Sequence, residues 1–189
     1  MNADNWNSGL CETERNTLLD VAYGTLAWVA DTSEVPFNFN RFTLTNRLKQ
    51  ICGTFVTLRL GSLLCGCVGS LEDREPLYRS VHENTFKSAT EDPRFSPLGV
   101  NELESLDVHI SILGPRVPVE SIQSFHPGLH GILMIARQRR AVFLPEVAGE
   151  QGWTREETAR HLCRKAGLTL DAWERDATFE LFGTDAFGD

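Results

Sequence analysis

Thr54-Phe55-Val56-Thr57-Leu58-Arg59-Leu60, then Gly61-Ser62, then Leu63-Leu64-Cys65-Gly66-Cys67-Val68-Gly69, is the stretch that decides the fold. Its first seven residues are rich in β-branched and aromatic side chains. Two apolar runs parted by a two-residue Gly-Ser interruption form the pattern of a β-hairpin. The second run sets the thiol of Cys67 between Gly66 and Gly69. A strand interior accepts glycine where the chain turns or another group comes close, so Cys67 is a candidate site residue. The alternative is a small buried hydrophobe, the usual state of a free cysteine.

Working outward, Pro76 suits the first turn of a helix, and Leu77, Val81, Thr85 and Ala89 carry an apolar stripe until Asp92-Pro93 stops it. Upstream, Leu18, Ala22, Leu26 and Val29 share one face of a helix running from Cys11 to about Asp31, and Pro36 closes that region. Downstream, Leu106, Val108, Ile110 and Ile112 alternate with mostly polar residues as a strand that ends at Gly114-Pro115. A second hairpin is expected from Gly131 to Leu144, around the basic turn Arg137 to Arg140. Thr154-Arg155-Glu156-Glu157 has the form of a capping box, opening a helix that runs to Ala166 with Gly167 as its stop. Thr178 to Phe182 alternates again as a strand. Hairpin followed by helix, twice in one chain, predicts a mixed α+β fold with a mainly antiparallel sheet. Residues 1–189 are read as one domain with room for two packed lobes, and 31–50 and 114–130 as the long loops.

Composition narrows the function classes. A hydrophobic content of 41% with 23% charged residues is that of a globular chain with a real core, and no run of about 18 apolar residues could span a bilayer. The opening residues lack a basic stretch followed by an apolar one, which predicts a soluble cytoplasmic protein, or a nuclear one in a eukaryote. Five cysteines, at 11, 52, 65, 67 and 163, are odd in number and unevenly spaced, so reduced thiols rather than a disulfide framework are expected. A net charge of −8 is repelled by phosphate backbones, so nucleic acid is not an expected partner, and without a spanning run neither is a membrane.

Several groups of residues suggest chemistry. Asp107, His109 and Ser111 spell a hydrolase triad, but residues two apart on a strand stand about 6.5–7 Å from one another, beyond hydrogen-bond reach. Cys65 and Cys67 would share one side of a regular strand, yet no second pair completes a zinc site, and no metal or cofactor is assigned. A thiol needs a base or a positive potential to become a nucleophile. His130, in Gly128-Leu129-His130-Gly131, is the candidate base, with the alternative that it satisfies a loop carbonyl. Glu146, just past Leu144-Pro145, could orient an imidazole or bind a substrate donor, or simply be solvated. Arg94, in the rigid loop Asp92-Pro93-Arg94-Phe95-Ser96-Pro97, could clamp a carboxylate or phosphate, or pair with Asp92 or Glu91.

Leu64-Cys65-Gly66-Cys67-Val68-Gly69 resembles the signature hexapeptide of the AMME chromosomal-region (AMMECR) domain family. Further stretches agree in order: Asp92 to Leu98, Ser111-Ile112-Leu113, His130-Gly131-Ile132, Leu144 to Ala148 with Gly152-Trp153, and Lys165 to Leu168 with Trp173. The resemblance covers about Cys11 to Phe182. It implies a two-lobed α+β domain, found alone or in the AmmeMemoRadiSam system beside a Memo-like protein and a radical SAM enzyme, which become candidate partners. It assigns no reaction. The family's cysteine falls on Cys67 and its glycines on Gly66 and Gly69. Where the family usually has arginine this chain has Cys65, and losing a fixed cation beside a thiol raises its pKa. The expected site is a cleft lined by Cys67, His130 and Glu146, with Gly66, Gly69, Arg94 and Ser111 as binding residues. Two alternatives stand beside it: a non-catalytic scaffold in which the hexapeptide is structural, and a redox sensor through Cys65 and Cys67.

Overall fold

The hairpin forms as read: β1 (Thr54–Leu60) pairs antiparallel with β2 (Leu63–Ser70) around Gly61, whose φ of +58° favours glycine. The structure, a computed structural model, describes residues 3, 6–31, 35–72, 74–103 and 105–188. The chain divides into two units, an N-terminal one of Gly9–Leu113 with Ala186–Asp189 and a C-terminal one of Gly114–Asp185 with Met1–Ser8.

In the N-terminal unit, α1 (Glu12–Ala30), α2 (Leu77–Thr90) and the short α3 (Val100–Leu103) accompany a four-stranded sheet. Its order is β2-β1-β3-β8, with β3 at Asp107–Leu113 and β8 at Thr184–Gly188. Helix α1 opens on a reciprocal cap at Cys11, whose N–H donates to Glu14 Oε2 at 3.0 Å, and it buries Leu18, Val21, Ala22 and Leu26. Helix α2 begins directly after Pro76, where a missing N–H costs no helical bond.

The buried face of α2 is partly polar. Asn84 Nδ2 donates to the carbonyl and hydroxyl of Thr54, at 3.1 and 2.9 Å. Ser88 Oγ donates to the Val56 carbonyl at 2.8 Å and accepts from the Val68 N–H at 2.9 Å. Short side chains at Ser80, Asn84 and Ser88 let the helix lie close on β1 and β2, and each polar atom so buried finds a partner.

The register of β2 against β1 slips by one residue. Leu58 faces Gly66 and Arg59 faces Leu64, so Cys65 is the extra residue of a bulge and the alternation expected of a regular strand is broken there. The Cys65 thiol is buried and donates to the Leu63 carbonyl at 3.4 Å.

In the C-terminal unit the second sheet runs β4-β7-β5-β6. Its strands are β4 (Val117–Val119), β5 (Gly131–Ala136), β6 (Arg139–Phe143) and β7 (Ala177–Phe182). Helices α4 (Pro145–Glu150) and α5 (Arg155–Lys165) follow the β5-β6 hairpin. Thr154 and Glu157 cap α5 reciprocally, and Gly167, with φ +65°, lies just past it. Phe125, Ile132, Met134, Leu162 and Leu181 make the centre of this unit's core. Gly131 is required where it stands, because a Cβ there would lie 2.3 Å from the Phe182 ring.

The architecture is α+β, and every strand pairing described is antiparallel. The expected loop 114–130 holds β4 and a 3-10 turn at Ile122–Ser124, and the expected loop 31–50 holds a 3-10 turn at Phe39–Arg41. Residues 32–34 of that second loop lie outside those described. Among the described residues no helix is long and apolar enough to cross a membrane.

Candidate functional site

Cys67 sits on β2, the edge strand of its sheet. In an antiparallel strand the N–H and C=O of one residue leave on the same side, so on an edge strand alternate residues lack a strand to bond. At Cys67 an ion pair takes that place. Its N–H donates to Asp92 Oδ2 at 2.8 Å, and its carbonyl accepts from Arg94 Nη2 at 2.9 Å. Arg94 is itself forked onto Asp92, with Nε 3.0 Å from Oδ1 and Nη2 2.7 Å from Oδ2. Of the two readings of Arg94, the structure shows the pair with Asp92.

The Asp92 carboxylate is 5% exposed and is held down to about 2, first by the Arg94 guanidinium and then by the N–H groups of Cys67 and Arg94, against the cost of burial. Arg94 is correspondingly more basic than a free guanidinium, chiefly through Asp92 and in smaller part through the nearby Cys67 thiol. A fixed cation thus stands near the thiol although the hexapeptide carries Cys65 in place of arginine.

The Cys67 side chain is half-buried, and Thr57 Oγ1 donates to its Sγ at 3.4 Å. Thr57 faces Cys67 across the β1-β2 ladder and faces His109 across the β1-β3 ladder. On the same face, Arg59 faces Asp107 and Phe55 faces both Gly69 and Ser111. Ser111, expected as a binding residue, is 1% exposed.

Both signature glycines answer to packing. A Cβ on Gly66 would lie 2.1 Å from the Ser88 carbonyl oxygen, and one on Gly69 would lie 2.3 Å from Phe55 Cγ. Beyond Gly69 and Ser70 opens a cavity of about 380 Å³, walled on the α2 side by Asn84 and Lys87.

His130 and Glu146 belong to the C-terminal unit. His130 is buried just ahead of β5, and its Nδ1 accepts the His126 N–H at 3.1 Å, which fixes the neutral ring as the Nε2–H tautomer. Glu146 lies in the first turn of α4, where its negative charge meets the unpaired N–H groups of a helix start. The structure brings Cys67 together with Thr57, Asp92 and Arg94, all in the N-terminal unit. In the sequence Asp92 reads as a helix stop and as an alternative partner of Arg94, with no bond to the Cys67 main chain assigned to it. Its signal is an aspartate ahead of proline at the end of α2, a position that favours side-chain bonds to nearby main chain.

A family model described as AMMECR1 matches residues 21–187. Protein MK0488 of Methanopyrus kandleri is 36% identical over 153 residues, covering 76% of this chain and 74% of that protein. A Thermotoga maritima protein is 33% identical over 141 residues, covering 74% of this chain and 79% of the relative. The crystal structure of the uncharacterised protein PH0010 from Pyrococcus horikoshii superposes with a TM-score of 0.82 at 27% identity, covering 91% of this chain and 89% of that one.

Proposed function

Because the chain belongs to the AMMECR1 family, we propose that it works with partner proteins in a modification pathway, through a functional centre built on the Cys67 thiol. One observation carries this reading: packing accounts for Gly66 and Gly69, and an ion pair fixes the Cys67 main chain on its outer side, while the sulfur itself is only half-buried and meets the Thr57 hydroxyl. A main chain so held places a side chain reproducibly, as a reacting or ligand-binding group must be placed. The expected partners are a Memo-like protein and a radical SAM enzyme. His130 and Glu146 enter this reading as candidate catalytic residues, and Gly66, Gly69, Arg94 and Ser111 as binding residues.

A second reading, a non-catalytic scaffold, draws on the same glycines, since close packing against Ser88 and Phe55 explains the hexapeptide without any reaction. Labelling with iodoacetamide separates the two. Cys163 is fully buried beside Met134, and burial pushes its thiol up, so it serves as the internal reference. Cys67 is expected to react faster than Cys163 near neutral pH, and equally slow reaction of both supports the scaffold. Capture of the tagged chain from cells, probed for Memo-like and radical SAM proteins, tests the pathway, and repeated absence of both removes it.

A further inference from the structure

Three strands set side by side the groups of three distant segments. Thr57 on β1 faces Cys67 on β2 and His109 on β3. Residues directly opposite in an antiparallel sheet have Cα atoms about 4.5–5.5 Å apart and side chains on one face. Sulfur, hydroxyl and imidazole therefore form one row across the sheet. All three residues are half-buried, while their neighbours Val56, Leu58, Val108 and Ile110 are fully buried on the opposite face.

We propose that His109 takes up the proton that Cys67 releases, passed through the Thr57 hydroxyl, an inference that rests on the reading of Cys67 as a functional thiol. A threonine hydroxyl has one proton to give and two lone pairs to accept with. Thr57 Oγ1 is the donor to Cys67 Sγ, at 3.4 Å. With that proton on the sulfur side, Oγ1 keeps lone pairs to accept from a protonated His109, so the register accommodates a thiolate and an imidazolium joined by one hydroxyl. In forming it, the S–H proton moves to Thr57 Oγ1 as the Thr57 proton moves to the imidazole, and no atom or electron is gained or lost. Among the described residues the His109 ring is in no hydrogen bond and no ring stack, so the strand register sets it opposite Thr57 and the bond to Oγ1 forms when the imidazole turns to it.

The charges around the row are defined. Arg59 and Asp107 face each other one position along on the same face, and Phe55 and Ser111 lie on the other side. Asp92 and Arg94 flank the β2 end of the row. On β8, the neighbour of β3, Phe187 carries the Arg15 guanidinium 5.3 Å over its ring. The row runs across strands, which is why Asp107, His109 and Ser111, spaced along one strand, do not make the triad their letters spell.

The test is the rate of Cys67 alkylation by iodoacetamide from pH 5 to pH 9 in the full chain, located by peptide mass spectrometry. In this reaction the thiolate forms a C–S bond as the C–I bond breaks and iodide leaves. His109→Gln is expected to slow Cys67 alkylation at neutral pH by about tenfold and to remove one ionisation from the pH profile. Thr57→Val should shift the rate in the same direction, with denaturation midpoints near wild type for both variants. Fast Cys67 labelling with superimposable wild-type and His109→Gln profiles overturns the role of His109 and leaves the Cys67 reading standing. Wild-type Cys67 labelling as slow as Cys163 overturns both.

Discussion

Gly66 and Ser88 approach so closely that a Cβ on Gly66 would lie 2.1 Å from the Ser88 carbonyl oxygen. The obstacle is helix backbone, which cannot swing aside as a side chain tip does. Gly66→Ala must push α2 away from β2 and stretch the bonds from Ser88 Oγ to Val56 and Val68. A loss of about 2–4 kcal/mol is expected, combining overpacking with strained buried hydrogen bonds. Urea denaturation checks it, and a midpoint equal to wild type contradicts the contact.

Asp92 predicts a particular acid sensitivity. Its carboxyl is held down to about 2 in the folded chain against 3.8 ordinarily, so its stabilising contribution is complete above about pH 4 and is lost as pH falls through about 2. The difference is worth roughly 2 kcal/mol. Asp92→Asn should lose about that much at pH 7, and the gap between variant and wild type should close toward pH 2. A gap of constant size across that range shows that charge on Asp92 is not what holds the loop.

The two hairpins and the helices α2 and α5 were legible because local signals, a two-residue turn, a proline and a capping box, coincide with hydrophobic period. Strands β4 and β8 were not. Val117-Pro118-Val119 is too short for a pattern and contains proline, and Thr184–Gly188 carries little β-propensity and is held by long-range pairing. At the site, the sequence nominated Cys67 and foresaw the pairing of Arg94 with Asp92 as one alternative. It gave Asp92 no role at Cys67, because the N–H it accepts belongs to a strand edge 25 residues earlier in the chain. The row of Cys67, Thr57 and His109 depends on register, and the bulge at Cys65 helps to set that register without leaving a periodic trace.

His82 predicts a second pH dependence. Burial lowers its pKa, opposed by Glu83 and aided by Arg79. Thr25 Oγ1 donates to the Val21 carbonyl at 2.7 Å and must therefore accept from His82 Nδ1, 2.8 Å away, while the Phe37 ring stacks on the imidazole at 4.2 Å. The unfolded chain takes the proton first, at about 6.5, so stability is full above that pH and declines as pH falls below it. His82→Phe keeps the ring stack and removes the titration. Its urea midpoint should change less than wild type between pH 7.5 and pH 5.5, and parallel declines refute the assignment.

The turn of the second hairpin offers a stabilising change. Arg137 and Gln138 join β5 to β6 with φ of +48° and +63°, the left-handed pair of a type I′ turn. An L side chain pays about 1–2 kcal/mol there and glycine does not. Arg137 recovers part of this through its bond to Asp176 Oδ2 at 2.9 Å, whereas the Gln138 side chain is exposed. Gln138→Gly should therefore raise stability by about 1 kcal/mol, the gain being reduced by the greater freedom of glycine in the unfolded chain. Gln138→Val should lower it, since a β-branched side chain fits this backbone worst. Thermal melts of the two variants check the pair, and destabilisation by glycine is incompatible with left-handed backbone at position 138.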